Sequence, residues 1–98
     1  MDEKLYRYRI RIFLSTKRYL SNQERELLEK LLEGMIEKRG CEKREVVVYR
    51  RTAMLDFSGK REINAESFVR ESERAFGLSI WENYRVQKTL EIDVKKLI

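Results

Sequence analysis

The sequence predicts an α+β fold, a two-layer α/β sandwich with two helices on one face of a mainly antiparallel sheet. Three observations predict it. Residues 6–14, YRYRIRIFL, alternate arginine with apolar side chains at a period of two. Two stretches, near 21–39 and 64–76, carry apolar residues at helical spacing between capping residues and a following glycine. Segments 44–58 and 80–94 are rich in β-forming residues. The element order is therefore β, α, long β, α, long β.

The first strand spans about Leu5 to Leu14. Tyr6, Tyr8, Ile10, Ile12 and Leu14 point to one face, and Arg7, Arg9 and Arg11 to the other, between Leu5 and Phe13. Alternation of this kind marks a strand with one buried face. The first helix opens at Ser21, with Glu24 three residues on to complete a capping box. Leu27, Leu28, Leu31, Leu32, Met35 and Ile36 form its apolar stripe, and Gly40 stops it.

Residues 44–58, REVVVYRRTAMLDFS, read either as one long strand or as two strands with a tight turn near YRRT. Val47, Tyr49, Ala53, Leu55 and Phe57 fall on odd positions; Val46, Val48 and Met54 fall on even ones. The second helix starts at Asn64, with Ile63 and Phe68 spaced as a hydrophobic staple, and ends at Gly77. The last strand runs from about Ile80 to Val94, with Ile80, Tyr84, Val86, Leu90, Ile92 and Val94 on its apolar side and Glu82 and Lys88 as exceptions there. If residues 44–58 fold as a hairpin, the topology is βαββαβ, the ferredoxin-like arrangement; if not, it is β-α-long β-α-long β. Ninety-eight residues suit a single domain over 1–98.

The chain carries a net charge of +5, with 42% hydrophobic and 40% charged residues. That balance favours an acidic partner such as nucleic acid. One cysteine, Cys41, allows no internal disulfide, and no apolar run approaches a membrane span. The N-terminal residues lack the apolar core of a secretory signal, so a cytoplasmic location and no membrane partner are expected. Fourteen Glu, thirteen Arg and nine Lys against five amides resemble thermophile composition, although proline is absent.

Catalysis looks poorly supplied. There is no histidine, so the commonest general base and metal ligand is missing. Cys41 follows a helix C-terminus, which disfavours a thiolate. Asp56 and Glu62 are the nearest approach to a carboxylate pair. No Walker or GxGxxG loop and no RNA-recognition-motif signature is present. The sequence is thus expected to be non-enzymatic, with no catalytic residue, no metal site and no cofactor.

An open sheet bearing arginines and aromatics can follow phosphates and stack bases. The expected nucleic-acid-binding residues are Arg7, Arg9, Arg11, Tyr49, Arg50, Arg51, Trp81, Arg85 and Lys88. A competing account pairs the first strand with the last, setting Arg7 near Asp93 and Arg9 near Glu91, so that ion pairs occupy two guanidinium groups. The leading expectation is a small basic protein that contacts DNA or RNA phosphates. The alternative is a homodimeric protein-interaction module, such as a virus or mobile-element protein acting on a host factor. Strands near fifteen residues favour the homodimer, because long arms on small domains pair with a second chain.

Overall fold

The computed structural model of the chain describes residues 4–14, 19–76 and 81–92, with backbone alone at 14, 81–83, 91 and 92. The elements run β1 (Lys4–Leu14), α1 (Asn22–Lys38), β2 (Glu42–Val48), β3 (Thr52–Gly59), α2 (Ala65–Phe76) and β4 (Trp81–Ile92). Four strands form one antiparallel sheet in the order β2-β3-β1-β4. This is the ferredoxin-like βαββαβ topology, with β1 and β2 separated by β3.

Residues 44–58 turn rather than run straight. The Tyr49 N–H donates to the Thr52 carbonyl at 2.8 Å, closing a hairpin over Tyr49–Arg50–Arg51. The turn resets the side-chain phase. Val48 lies opposite Ala53 and Val46 opposite Leu55, so Val46 and Val48 join Ala53, Leu55 and Phe57 in the core. The strand alternation read straight through YRRT put those two valines on the wrong side. Val47 instead lies opposite Met54 on the other face. A bulge between Lys43 and Glu45 ends the regular part of β2.

The capping box of α1 is complete: Glu24 N–H donates to Ser21 Oγ at 3.2 Å, and Ser21 N–H to Glu24 Oε1 at 3.1 Å. Leu28, Leu32, Met35 and Ile36 are buried, whereas Leu27 is exposed, so the apolar stripe is narrower than its spacing suggests. Gly40 takes φ of +72°, the left-handed conformation that leaves a helix most cheaply when no Cβ is present. Asn64 caps α2 through its Oδ1, which accepts from Ser67 N–H at 3.0 Å.

Both helices cover the face carrying Tyr8, Ile10 and Ile12, and Phe68 and Val69 of α2 meet Phe57 and Leu55 in one core cluster. Tyr8 stacks on Phe57 with centroids 5.3 Å apart. Its hydroxyl accepts from Ile63 N–H at 2.8 Å and donates to the Ile63 carbonyl at 3.3 Å, tying the loop before α2 to the central strand. Burying the sixteen apolar side chains found in this core among the described residues is what offsets the chain entropy of a small domain. No helix among the described residues is long and apolar enough to cross a membrane.

Candidate nucleic-acid interface

The helix-free face is built from odd positions of β1 and β4 and even positions of β3. Across it, Arg11 lies between Met54 and Arg85, Arg9 between Asp56 and Gln87, and Arg7 between Ser58 and Thr89. Period-two alternation alone sets this surface, since each arginine of β1 is separated from the next by a core residue.

The three arginines of β1 do not share one fate. Arg7 grips Asp56 through both carboxylate oxygens, with Nε at 3.0 Å and an Nη at 2.7 Å. The side chains are only 23% and 16% exposed, so this is a well-formed bidentate pair rather than a loose surface contact. The hydrogen bonds from Arg7 hold the Asp56 carboxyl below its usual range, and the charges of Arg7, Arg9 and Arg44 add to that against the cost of burial. Arg9 reaches Asp56 only at 3.7 Å and remains 55% exposed. Arg11 points an Nη at the Met54 sulfur, a weak acceptor, at 3.4 Å. Arg85 lies over the Phe13 ring, 5.6 Å from its centroid.

Arg9, Arg11 and Arg85 therefore keep most of their N–H donors for a ligand. They line an open concavity of about 410 Å³ together with Met54 and Gln87. Toward the β2–β3 turn the basic character continues. Arg50 and Tyr49 are exposed there, and the Arg51 guanidinium sits 4.8 Å over the ring of exposed Tyr19. The Arg25 guanidinium fastens this end by donating to the Val48 carbonyl at 2.9 Å.

The sequence-predicted residues thus divide. Arg9, Arg11 and Arg85 come together; Arg7 stands in the same surface but is held by Asp56. Tyr49, Arg50 and Arg51 form the turn at its end. Lys88 is placed on the opposite, helix-covered side, opposite Tyr8, and its ammonium group bonds Glu62. Trp81 lies opposite Leu14 beyond an irregularity in the pairing, and its side chain falls outside the described residues. The expected register is also corrected: Arg7 faces Thr89 and Arg9 faces Gln87, while Glu91 pairs with Leu5. Asp93 lies outside the described residues.

The sequence marks Asp56 only as half of a carboxylate pair, and its role as the partner of Arg7 is new. The signal lay in the strand order, because a ferredoxin-like sheet puts β3 as close to β1 as β4 is. Asp56 and Glu62, the sequence's carboxylate pair, are committed to different partners, Arg7 and Lys88. Cys41 is buried beside Gly59, and burial pushes its thiol up, partly countered by Arg39.

The fold and this surface define a class: a ferredoxin-like α+β domain whose open sheet face is cationic. Solved structures share that fold. The chain is similar to a protein from Deinococcus radiodurans R1 assigned as a transposase, with a TM-score of 0.66, 16% identity, and coverage of 85% of this chain and 78% of the other. It is also similar to a REP-associated tyrosine transposase solved bound to a REP hairpin, with a TM-score of 0.62 and 16% identity. That likeness covers 99% of this chain but 61% of the transposase, so the chain spans under two thirds of its length. No protein-family model and no curated protein matches the chain.

These likenesses establish a shared fold, and they correct one expectation. The chain was expected to be non-enzymatic for want of histidine and metal-ligand spacing. The two similar structures above bear the name transposase, a class of enzymes, so those absences do not exclude catalysis.

Proposed function

We propose that the chain is a transposase-related, mobile-element protein that binds DNA through the open face of its sheet. The observation that carries this reading is the convergence of Arg9, Arg11 and Arg85 around one helix-free concavity, each held only by a weak or distant partner. Guanidinium groups in that state bind phosphate oxygens in paired hydrogen bonds. The surface leads toward Tyr49 and the Tyr19–Arg51 pair, whose rings offer faces for unpaired bases. The hairpin bound to the similar tyrosine transposase supports a folded-back strand as the ligand form.

The test is binding of labelled hairpin, single-stranded and duplex DNA, with an RNA hairpin alongside, measured by fluorescence anisotropy across a salt series. Three phosphate contacts give a log–log salt slope of roughly 2 to 3. An Arg9/Arg11/Arg85→Gln triple variant should bind weakly with a slope near zero. All three side chains lie on the exposed face, so the fold should persist, which circular dichroism verifies. Absence of DNA binding at low salt, or wild-type binding by the triple variant, refutes the proposal.

A further inference from the structure

We propose that β4 is a homodimer edge, pairing antiparallel with β4 of a second copy to join two sheets into one of eight strands. The two edges of the sheet differ in kind. The β2 edge is seven residues long, begins with four charged residues in a row, Glu42 to Glu45, and carries the bulge after Lys43. Short, charged, bulged strands resist pairing with another chain. The β4 edge is twelve residues long, and its pairing with β1 is regular from Asn83 to Ile92.

On the helix side of β4, α2 barely reaches the strand. Val86 is left 39% exposed and Leu90 53% exposed, although the residues opposite them on β1 are Ile10 and Tyr6, part of or packed against the core. An apolar edge strand that its own helix does not cover is completed by more chain on that side.

Charge and shape select a second copy as that chain. A two-fold axis normal to the sheet keeps each face on its own side, so it pairs positions of equal parity. With the axis at Lys88, Val86 stands opposite Leu90 of the partner subunit and Arg85 opposite Glu91 of the partner subunit, and each pair occurs twice. With the axis one residue earlier, at Gln87, Val86 meets a lysine and Arg85 a threonine. The first register matches apolar with apolar and cation with anion across the strands. Its one unfavourable feature is the approach of the two Lys88 ammonium groups, and each is already bonded to Glu62 of its own chain.

The same axis leaves both arginine faces on one side of the joined sheet. The two β1 strands are then three strand spacings apart, about 14 Å. The dimer presents two copies of the Arg9–Arg11–Arg85 surface as one continuous area. The association itself does not depend on nucleic-acid binding.

Light scattering coupled to size exclusion tests the association, and site-directed disulfide formation tests the register. The wild type should run with the mass of two chains at high micromolar concentration. Val86→Asp/Leu90→Asp should run as one chain with unchanged circular dichroism, since both side chains are already exposed. A Lys88→Cys variant should cross-link to itself under mild oxidation, and Gln87→Cys much less, with the wild type as the control for Cys41. A wild type that stays monomeric at high concentration overturns the proposal. A dimer that survives the double variant, or that cross-links through Gln87→Cys in preference to Lys88→Cys, overturns this edge and register.

Discussion

Asp56→Asn should move stability and nucleic-acid binding in opposite directions. The carboxylate accepts two charge-assisted hydrogen bonds from Arg7, at 3.0 and 2.7 Å, in a setting only 16–23% exposed. Asparagine keeps the shape and one acceptor but loses the charge. Hydrogen bonds to charged groups contribute about 1.5–3 kcal/mol, so unfolding free energy should fall by about 1–3 kcal/mol. In a domain of this size each kcal/mol lowers Tm by about 4–8 °C. The sign with pH follows from the depressed carboxyl. The pair's contribution is complete above the ordinary aspartate value of about 3.9 and is lost as pH falls through the lower folded value. The wild type should lose that increment on acidification, and the variant should show no such loss. At the same time the variant removes the anion that Arg9 shares at 3.7 Å, leaving the surface more positive. DNA affinity should rise, and the salt slope should steepen by up to roughly 0.7–0.9, one added phosphate contact. Chemical denaturation across pH and anisotropy across salt read the two effects separately. A variant that is destabilised but binds DNA no better, or worse, refutes the view that Asp56 competes with phosphate for this face.

Two further substitutions probe the scaffold that holds the arginines. Tyr8→Phe removes the hydroxyl that serves both backbone groups of Ile63, leaving a partly buried donor and acceptor without that partner; urea denaturation should show a loss of about 0.5–1.5 kcal/mol, with the DNA salt slope unchanged. Gly59→Ala would place a Cβ 2.8 Å from the Cys41 sulfur, and overpacking of this kind costs about 1–3 kcal/mol. Adding Cys41→Ala should recover part of that loss; a double variant no more stable than the sum of the two single losses predicts would show that the sulfur is not the obstacle.

The sequence made some of this structure legible because local chemistry decided it. Ser21 and Glu24 announce the start of α1, Gly40 its end, and the spacing of arginines in β1 its two faces. These signals act within a few residues and survive any tertiary arrangement. What crossed the turn at Tyr49–Arg51 was harder to read. A hairpin changes the relation between sequence parity and sheet face, so Val46 and Val48 moved to the core although the alternation read across the turn set them apart from Ala53 and Leu55. The register between β1 and β4 was harder still. Each of several slips by two residues keeps apolar beside apolar, so patterning does not choose among them. The pairing of Arg7 with Asp56 depends on which strands are neighbours, a property of the whole topology. The site was therefore visible as a row of arginines, while the division between the one held by a carboxylate and those turned outward was not.

The core described above draws its buried side chains from β1, α1, β2, β3, α2 and the segments flanking α1; among the described residues none comes from β4. That strand is held chiefly by its backbone ladder with β1, with partly buried Tyr84 against the core and Lys88 on Glu62, and its pairing of Ile92 with Lys4 closes a loop of nearly the whole chain. Contacts that distant in sequence form only after a large entropic toll, and they slow folding accordingly. The β1–β3–β2 sheet with its two helices can reach almost its full apolar burial before β4 arrives. Docking of β4 is therefore expected late in folding, and hydrogen exchange of its backbone amides, slower to gain protection on refolding than those of β3, checks this.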